Sequence, residues 1–480
     1  MARPPASNSG RSRPAHRRKP GRPGGAPGDP ARRVALDVQL AVSDRDAFAN
    51  LLLPQLLAQR GLTGKDAALA TELSYGTLRG RGTYDAVLAV CSDRALQSLD
   101  AVVREVLRLG THQLLATRIQ PHAAVATSVN LVKDVAGQRP AGFVNAVLRR
   151  VATRDLEAWL AIAAPARESD PVGHLAVRHS HPRWVVEAFA AALGEVPDGG
   201  LPQTEAGLAA GNERPAVHLC VVPGLADRNE LVLAGATQAR WSPFGAYLRD
   251  GDPAAISAVS EGRAGVQDEA SQLAATALAT VSVDGTDDRW LDLCAGPGGK
   301  ARLLSGLATG KGARLLAAEV REHRARLVRS AVTPAGSGGV IVADGTRPAW
   351  PIGRFDRVIA DVPCSGLGAL RRRPEARWRR TPADVQALGG LQHRLLTEAL
   401  AAARPGGVVA YVTCSPHLAE TAEVISDVLA ARPGVELLDA PAALPAVPGI
   451  RSGPGGRYAQ FWPHVHGTDA IFLALLRPGR

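Results

Sequence analysis

The chain has 480 residues, 46% of them hydrophobic, and a formal net charge of +11. That apolar share excludes a disordered chain, and the length exceeds one compact core, which predicts roughly two to four domains. Five cysteines, an odd number without paired spacing, exclude a disulfide scaffold and point to a reducing cytoplasm. No apolar run approaches the roughly 20 residues of a membrane span, and the basic N-terminus lacks the apolar stretch of a secretory signal. No His/Cys cluster has zinc-ligand spacing, so neither a membrane nor a metal is an expected partner.

Residues 1–33 hold nine Arg and Lys against one acid, Asp29, among many Pro, Gly and Ser. They carry most of the net charge and read as a disordered basic tail, either an arm for RNA phosphates or a solvated extension. From 34 onward apolar residues recur at helical spacing over 34–42, 48–57, 67–78, 86–91, 102–115, 125–135 and 143–151. Gly61, Gly110, Pro121 and Pro140 fall where helices are expected to stop. The pattern predicts an all-helical domain over 34–165. Its phrases "LSYGTLRG" (73–80), "LRLGTHQLL" (107–115), "PHAAVATSVNLVK" (121–133) and "GFVNAVLRR" (142–150) resemble the NusB-like RNA-binding domain that precedes some bacterial rRNA methyltransferases. Periodicity alone predicts only a helical bundle. Arg79, Arg81, Arg149 and Arg150 are either phosphate contacts or solvated helix ends.

Residues 170–265 mix signals. A helix entered through His181-Pro182 precedes an alternating, strand-like "RPAVHLCVV" at 214–222. The expectation is a small α/β domain, and it resembles the linker domain of the same methyltransferases. Asn212, Arg214 and Pro215 match a short RNA-facing signature there.

Residues 266–480 alternate strands (290–293, 314–319, 339–342, 357–360, 408–413) with helices (299–307, 322–330, 383–403, 420–431). Such alternation predicts a mostly parallel sheet covered on both faces, with ligands bound beyond the carboxyl ends of the strands. The loops at those ends are unusual. Asp292-Leu293-Cys294-Ala295-Gly296-Pro297-Gly298-Gly299-Lys300 is a Gly-rich strand–turn–helix that is neither a P-loop nor GxGxxG. It suits a nucleoside with little negative charge, such as S-adenosyl-L-methionine. Glu319 ends the next strand, where a carboxylate can accept both ribose hydroxyls, and Asp344 is placed to meet an adenine amino group. Asp361-Val362-Pro363-Cys364-Ser365-Gly366 and Thr413-Cys414-Ser415-Pro416 put two cysteines at separate strand ends. A soft nucleophile adding to C6 of a pyrimidine makes C5 able to take a methyl group.

"DLCAGPGGK", "DVPCSGLGALRRRPEARW", "YVTCSP" and the lead-in "GVQDEASQLAA" (265–275) resemble the NOL1/NOP2/Sun family of RNA cytosine-5 methyltransferases. With the NusB-like front, 34–480 resembles the bacterial Sun/Fmu branch, which methylates small-subunit rRNA. The resemblance implies Cys414 as nucleophile and Cys364 in the release step. It implies that Asp361 contacts the cytosine edge and the methionine end of the cofactor, and that Lys300 stabilises the adduct. It also implies cofactor contacts from the whole turn 294–300. Residue types alone leave the order of the two cysteines open. Two departures stand out: Gly296 replaces the usual Ala, and Thr421 stands where the family mostly has Asn, while Glu420 is retained. Arg371, Arg372, Arg373, Arg377, Arg379 and Arg380 surround Trp378 after the Cys364 loop, which suggests phosphate contacts and base stacking. His464 and His466 lack a metal-ligand partner and read as structural or RNA-facing.

The expected fold class is therefore multidomain. It comprises an all-α NusB-like domain, a small α/β linker domain and a Rossmann-like α/β methyltransferase domain with a mostly parallel seven-stranded sheet. A cytoplasmic monomer acting on RNA of the small ribosomal subunit is expected. A tRNA cytosine-5 methyltransferase and a non-catalytic RNA-binding or antitermination factor are the alternatives. The first is disfavoured by the NusB-like front, the second by the retention of both cysteines and Lys300.

Overall fold

The computed structural model describes residues 29–336 and 338–479. Most of the expected basic tail, residues 1–28, lies outside the described residues. Its last few residues are ordered and helical, contrary to expectation. The first helix spans Pro30–Arg45, capped by Asp29, whose carboxylate accepts from the Arg32 amide at 3.1 Å. A capping acid followed by proline in the first turn is a strong helix start. The Arg32 side chain is buried and donates to Gln113 Oε1 at 2.7 Å, so it is held within the helical core.

The helices Ala49–Gln59, Gly64–Cys91, Ala101–Ala116, Pro121–Ala136, Ala141–Val151 and Leu156–Ala163 follow. Leu73, Leu88, Val106, Leu107, Val132 and Leu148 form the centre of their core. Two expected boundaries are absent. The segments 67–78 and 86–91 belong to one 28-residue helix. Gly82 inside it is a packing site, since a Cβ there would lie 2.5 Å from the Trp378 ring. Gly110 likewise sits inside Ala101–Ala116, where a Cβ would lie 2.6 Å from Leu148 Cδ1. These glycines permit close approach, so they continue helices that isolated glycines would weaken.

Residues 170–265 divide into helices Pro171–Arg178, Arg183–Leu193 and Pro202–Ala210, then a four-stranded antiparallel sheet. The sheet runs in the order Thr237–Gln238, Gly245–Leu248, Val217–Val221, Ala264–Val266.

The C-terminal sheet has nine strands, two more than expected. Glu436–Leu437 and Arg451–Ser452, each two residues long, account for the difference. Its centre is parallel, in the order Ala403–Thr413, Phe355–Asp361, Arg289–Asp292, Arg314–Glu319, Gly338–Val342. Phe472–Arg477 then pairs antiparallel with Ala403–Thr413. Val408, Ala410 and Val412 face one hydrophobic layer with Leu303, Leu304 and Val328. Val409 and Tyr411 face the other, with Leu396, Leu400 and Ile425. A strand buried on both faces reads as an unbroken apolar run, which is why 408–413 shows no alternation.

The arginine cluster serves a different purpose from the expected one. Arg371 Nε lies 2.6 Å from Asp469 and its Nη2 lies 3.0 Å from Asp268; Arg372 reaches the same two acids at 3.1 and 2.9 Å. Arg379 donates to the carbonyls of Val42 and Ala47 in the first helical region. Arg377 is fully buried, and its guanidinium donates to Arg79 O, Ser180 O, Gly211 O and Asn212 Oδ1. Burial pushes its pKa down to about 9. Trp378 packs against Gly82, with the Arg81 guanidinium 5.8 Å from its ring. These side chains join 374–380 to the helical region and to 170–212, and only Arg373 and Arg380 of the six are exposed. Asn212 is occupied in the same way, whereas Arg214 is exposed. His464 bonds Gln203 Oε1 at 3.2 Å, and His466 bonds the Trp462 amide and Pro448 O, as structural histidines.

Candidate active site

The parallel strands change direction of succession between Arg289–Asp292 and Phe355–Asp361, which are hydrogen-bonded neighbours. Ligand sites of open α/β sheets open at such a switch point, beyond the carboxyl ends. Asp292 and Asp361 are the last residues of those two strands.

The Gly-rich turn leaves Asp292 and enters the helix Gly299–Gly310. Gly298 has φ 111°, and a Cβ there would lie 2.8 Å from the Ala331 Cβ, so only glycine fits. Ala295 donates its amide to Ala318 O at 2.9 Å, which ties the turn to the next strand. Pro297 is exposed and Gly299 partly so. The Cys294 thiol is pushed well up by burial and by the acids around it, so it stays protonated. A Cβ on Gly296 would lie 1.9 Å from Glu319 Oε2. The departure from Ala at this position thus lets the Glu319 carboxylate lie against the turn. Glu319 is buried and accepts from the Arg321 amide at 2.9 Å. Asp344 follows the adjacent strand end and is exposed; its Oδ1 accepts from Thr346 N and Oγ1 at 2.9 and 2.8 Å. Those two bonds hold its pKa down.

Lys300, on the first turn of the helix, extends to Asp361 Oδ2 at 2.8 Å and Ser271 Oγ at 3.3 Å. Burial disfavours its charge, but Asp361 more than offsets this and its pKa is raised. Cys364 and Cys414 meet beside this pair, Sγ to Sγ at 3.3 Å. Both residues are partly exposed. The hydrogen bond from Cys364, aided by Lys300, lowers the Cys414 pKa against burial and Asp361. The same bond, together with burial, raises that of Cys364. The pair therefore favours ionisation of Cys414 over that of Cys364.

Lys300, Asp361, Cys364 and Cys414 form one cluster, with Glu319 and Asp344 at the next two strand ends. The sequence alone assigns no role to Asp292, which heads the turn. Its carboxyl is 1% exposed, Oδ1 accepts from the Cys294 amide at 3.3 Å, and Oδ2 has no hydrogen-bond partner. Burial, then Asp361, pushes its pKa up to about 7. Ser365, Ser415, Gln392 and Glu420 form a buried polar network behind the cysteines. Their sequence signals are a Ser after each Cys and the retained Glu420.

Known proteins share this arrangement of parts. The family model described as 16S rRNA methyltransferase RsmB/F matches residues 279–477, and the NusB family matches 29–153. A protein of Mycobacterium tuberculosis named as a methyltransferase is 52% identical over 452 residues, 94% of this chain and 97% of its own. The ribosomal RNA small subunit methyltransferase B of Pseudomonas putida is 32% identical over 93% of this chain and 98% of its own. Among solved structures, PH0851 has a TM-score of 0.75 at 20% identity, covering 94% of this chain and 99% of that one. NSun6 from Pyrococcus horikoshii, solved with SFG, has a TM-score of 0.50 at 17% identity, covering 62% and 98%. The two likenesses show a shared fold, and the sequence matches go further: the chain belongs to the RsmB/F family of 16S rRNA methyltransferases.

Proposed function

We propose that this chain methylates C5 of a cytosine in the 16S rRNA of the small ribosomal subunit, through a covalent bond between Cys414 and C6. The observation that carries the reading is the cysteine pair, whose sulfurs lie 3.3 Å apart at two strand ends beside Lys300 and Asp361. S-adenosyl-L-methionine, when bound, supplies an electrophilic methyl group. The residues fit it: Gly296 lets the Glu319 carboxylate lie against the turn, Glu319 and Asp344 offer carboxylates at successive strand ends, and the unpartnered Asp292 Oδ2 suits a cationic group.

The Cys414 thiolate adds to C6, and the electron pair placed on C5 would bond the methyl carbon as that carbon's bond to the sulfonium sulfur breaks, leaving a neutral thioether. The Lys300–Asp361 pair sits where charge develops on the base. Once Cys414 is a thioether, it no longer holds the Cys364 proton by charge. That proton leaves to water, and the Cys364 thiolate takes the C5 proton. The C6–sulfur bond then breaks, returning the Cys414 thiolate and the Cys364 thiol. Each turnover releases one proton. The parts over 34–165 and 170–265 are read as RNA-binding domains in front of a catalytic domain over 266–480. Bisulfite sequencing of 16S rRNA from cells with and without the gene tests this. One cytosine resistant to conversion only when the gene is present is expected, and identical conversion in both would contradict it.

A further inference from the structure

We propose that Glu420 is a positioning residue that decides which of the two cysteines is the nucleophile, by placing a buried negative charge on the Cys364 side of the pair. The inference rests on the cytosine-5 reading above.

Glu420 closes the short turn Leu418–Glu420, six residues after Cys414. It travels on the Cys414 loop, yet its carboxylate is bound to the Cys364 loop. Oε1 accepts from the Ser365 amide at 2.7 Å and from Gln392 Nε2 at 3.2 Å, and Oε2 accepts from Ser365 Oγ at 2.5 Å. Gln392 Nε2 also donates to Pro363 O at 2.9 Å, so both chain neighbours of Cys364 are fixed through this carboxylate. Ser415 Oγ lies 3.1 Å from Ser365 Oγ. A hydroxyl has one proton, and Ser365 gives its own to Glu420, so Ser415 must donate to Ser365. The chain of bonds therefore runs from the residue after Cys414, through the residue after Cys364, to the carboxylate. Tyr411 OH holds the Glu420 carbonyl at 2.8 Å.

Glu420 is fully buried, while Cys364 and Cys414 are partly exposed as residues. Its three bonded donors, an amide, a hydroxyl and a carboxamide, are all neutral. All three donate to the carboxylate, and none brings a charge of its own. The Glu420 charge opposes ionisation of Cys364. Lys300 acts in the opposite sense on Cys414. Asp361 opposes both thiolates, and Asp469 opposes that of Cys414, so neither favours Cys414. Beyond the hydrogen bond between the two sulfurs, Glu420 acts on Cys364 and Lys300 on Cys414.

The test uses the full chain without RNA or cofactor. Iodoacetamide at about pH 7.5 alkylates thiolates, and peptide mass spectrometry reads each cysteine separately. In the wild type Cys414 should react about tenfold faster than Cys364. Glu420→Gln keeps the shape and removes the charge, and should cut that ratio about fivefold, mainly through a faster Cys364. Glu420→Asp keeps the charge and should stay within about twofold of wild type. A wild-type ratio in Glu420→Gln, or equal shifts in both variants, overturns the proposal. Ser365→Ala removes only the hydroxyl link and should leave Cys414 the faster thiol. Loss of that preference overturns the proposal too, and this variant decides if neither Glu420 variant folds. These ratios need no RNA. An unchanged ratio sinks the role of Glu420 alone, whereas a shifted ratio in an enzyme that leaves cytosine unmodified sinks the cytosine-5 reading alone.

Discussion

Cys364 and Cys414 are 50 residues apart in the chain and 3.3 Å apart at their sulfurs. Adjacent parallel strands bring them together. Asp361 pairs with Val412 in register, and each cysteine follows within three residues of that pairing. The separation is far longer than the roughly 2.05 Å of a disulfide and suits a hydrogen bond between the two sulfurs.

The cofactor reading predicts that Glu319→Ala and Asp344→Ala fold normally and bind S-adenosyl-L-methionine more weakly. Each lost charge-assisted hydrogen bond should cost about 1.5–3 kcal/mol, tenfold or more in affinity. Titration calorimetry reads this directly. Wild-type affinity in both variants would move the cofactor elsewhere.

Asp292 predicts a pH dependence of stability in the cofactor-free protein. Its carboxyl titrates at about 7 when folded, against an ordinary value of about 4 in the unfolded chain. Folding therefore favours the protonated form. The contribution is fully present below about pH 4 and is lost as pH rises through about 7, a change on the order of 4 kcal/mol. Asp292→Asn mimics the protonated form at every pH. It should melt higher than wild type at about pH 8, with the difference shrinking toward pH 4. A pH-independent difference between the two melting curves would contradict this.

Arg377 predicts the strength of the joint between the three parts of the chain. Arg377→Leu strands the oxygens of Arg79, Ser180, Gly211 and Asn212 in a buried site. The cost should be on the order of 3 kcal/mol, read by denaturant unfolding. A loss below about 0.5 kcal/mol would show that the joint does not depend on it.

The catalytic sheet was legible because doubly buried strands are apolar runs bounded by turns, and the expected strand 314–319 coincides with Arg314–Glu319. The cysteine loops were legible because strand order puts their residues at one edge. Partners distant in sequence were not legible. Six arginines in ten residues look like a phosphate surface when Asp268, Asp469 and the carbonyls of Val42 and Ala47 cannot be seen beside them. Gly110 looks like a helix stop until Leu148 is placed against it. Glu420 was noticed only as a retained residue, since its meaning lies in Ser365, 55 positions earlier.

The central claim is that the two cysteines divide one covalent reaction between them. The most direct test incubates Cys364→Ala and Cys414→Ala with 16S rRNA and S-adenosyl-L-methionine, then runs a denaturing gel. Cys364→Ala can form the adduct and transfer the methyl group but cannot take the C5 proton, so a covalent protein–RNA band should accumulate. Cys414→Ala lacks the nucleophile, so it should give no band and no methylation. A band in Cys414→Ala instead would reverse the roles, and no band in either variant would contradict covalent catalysis by this pair.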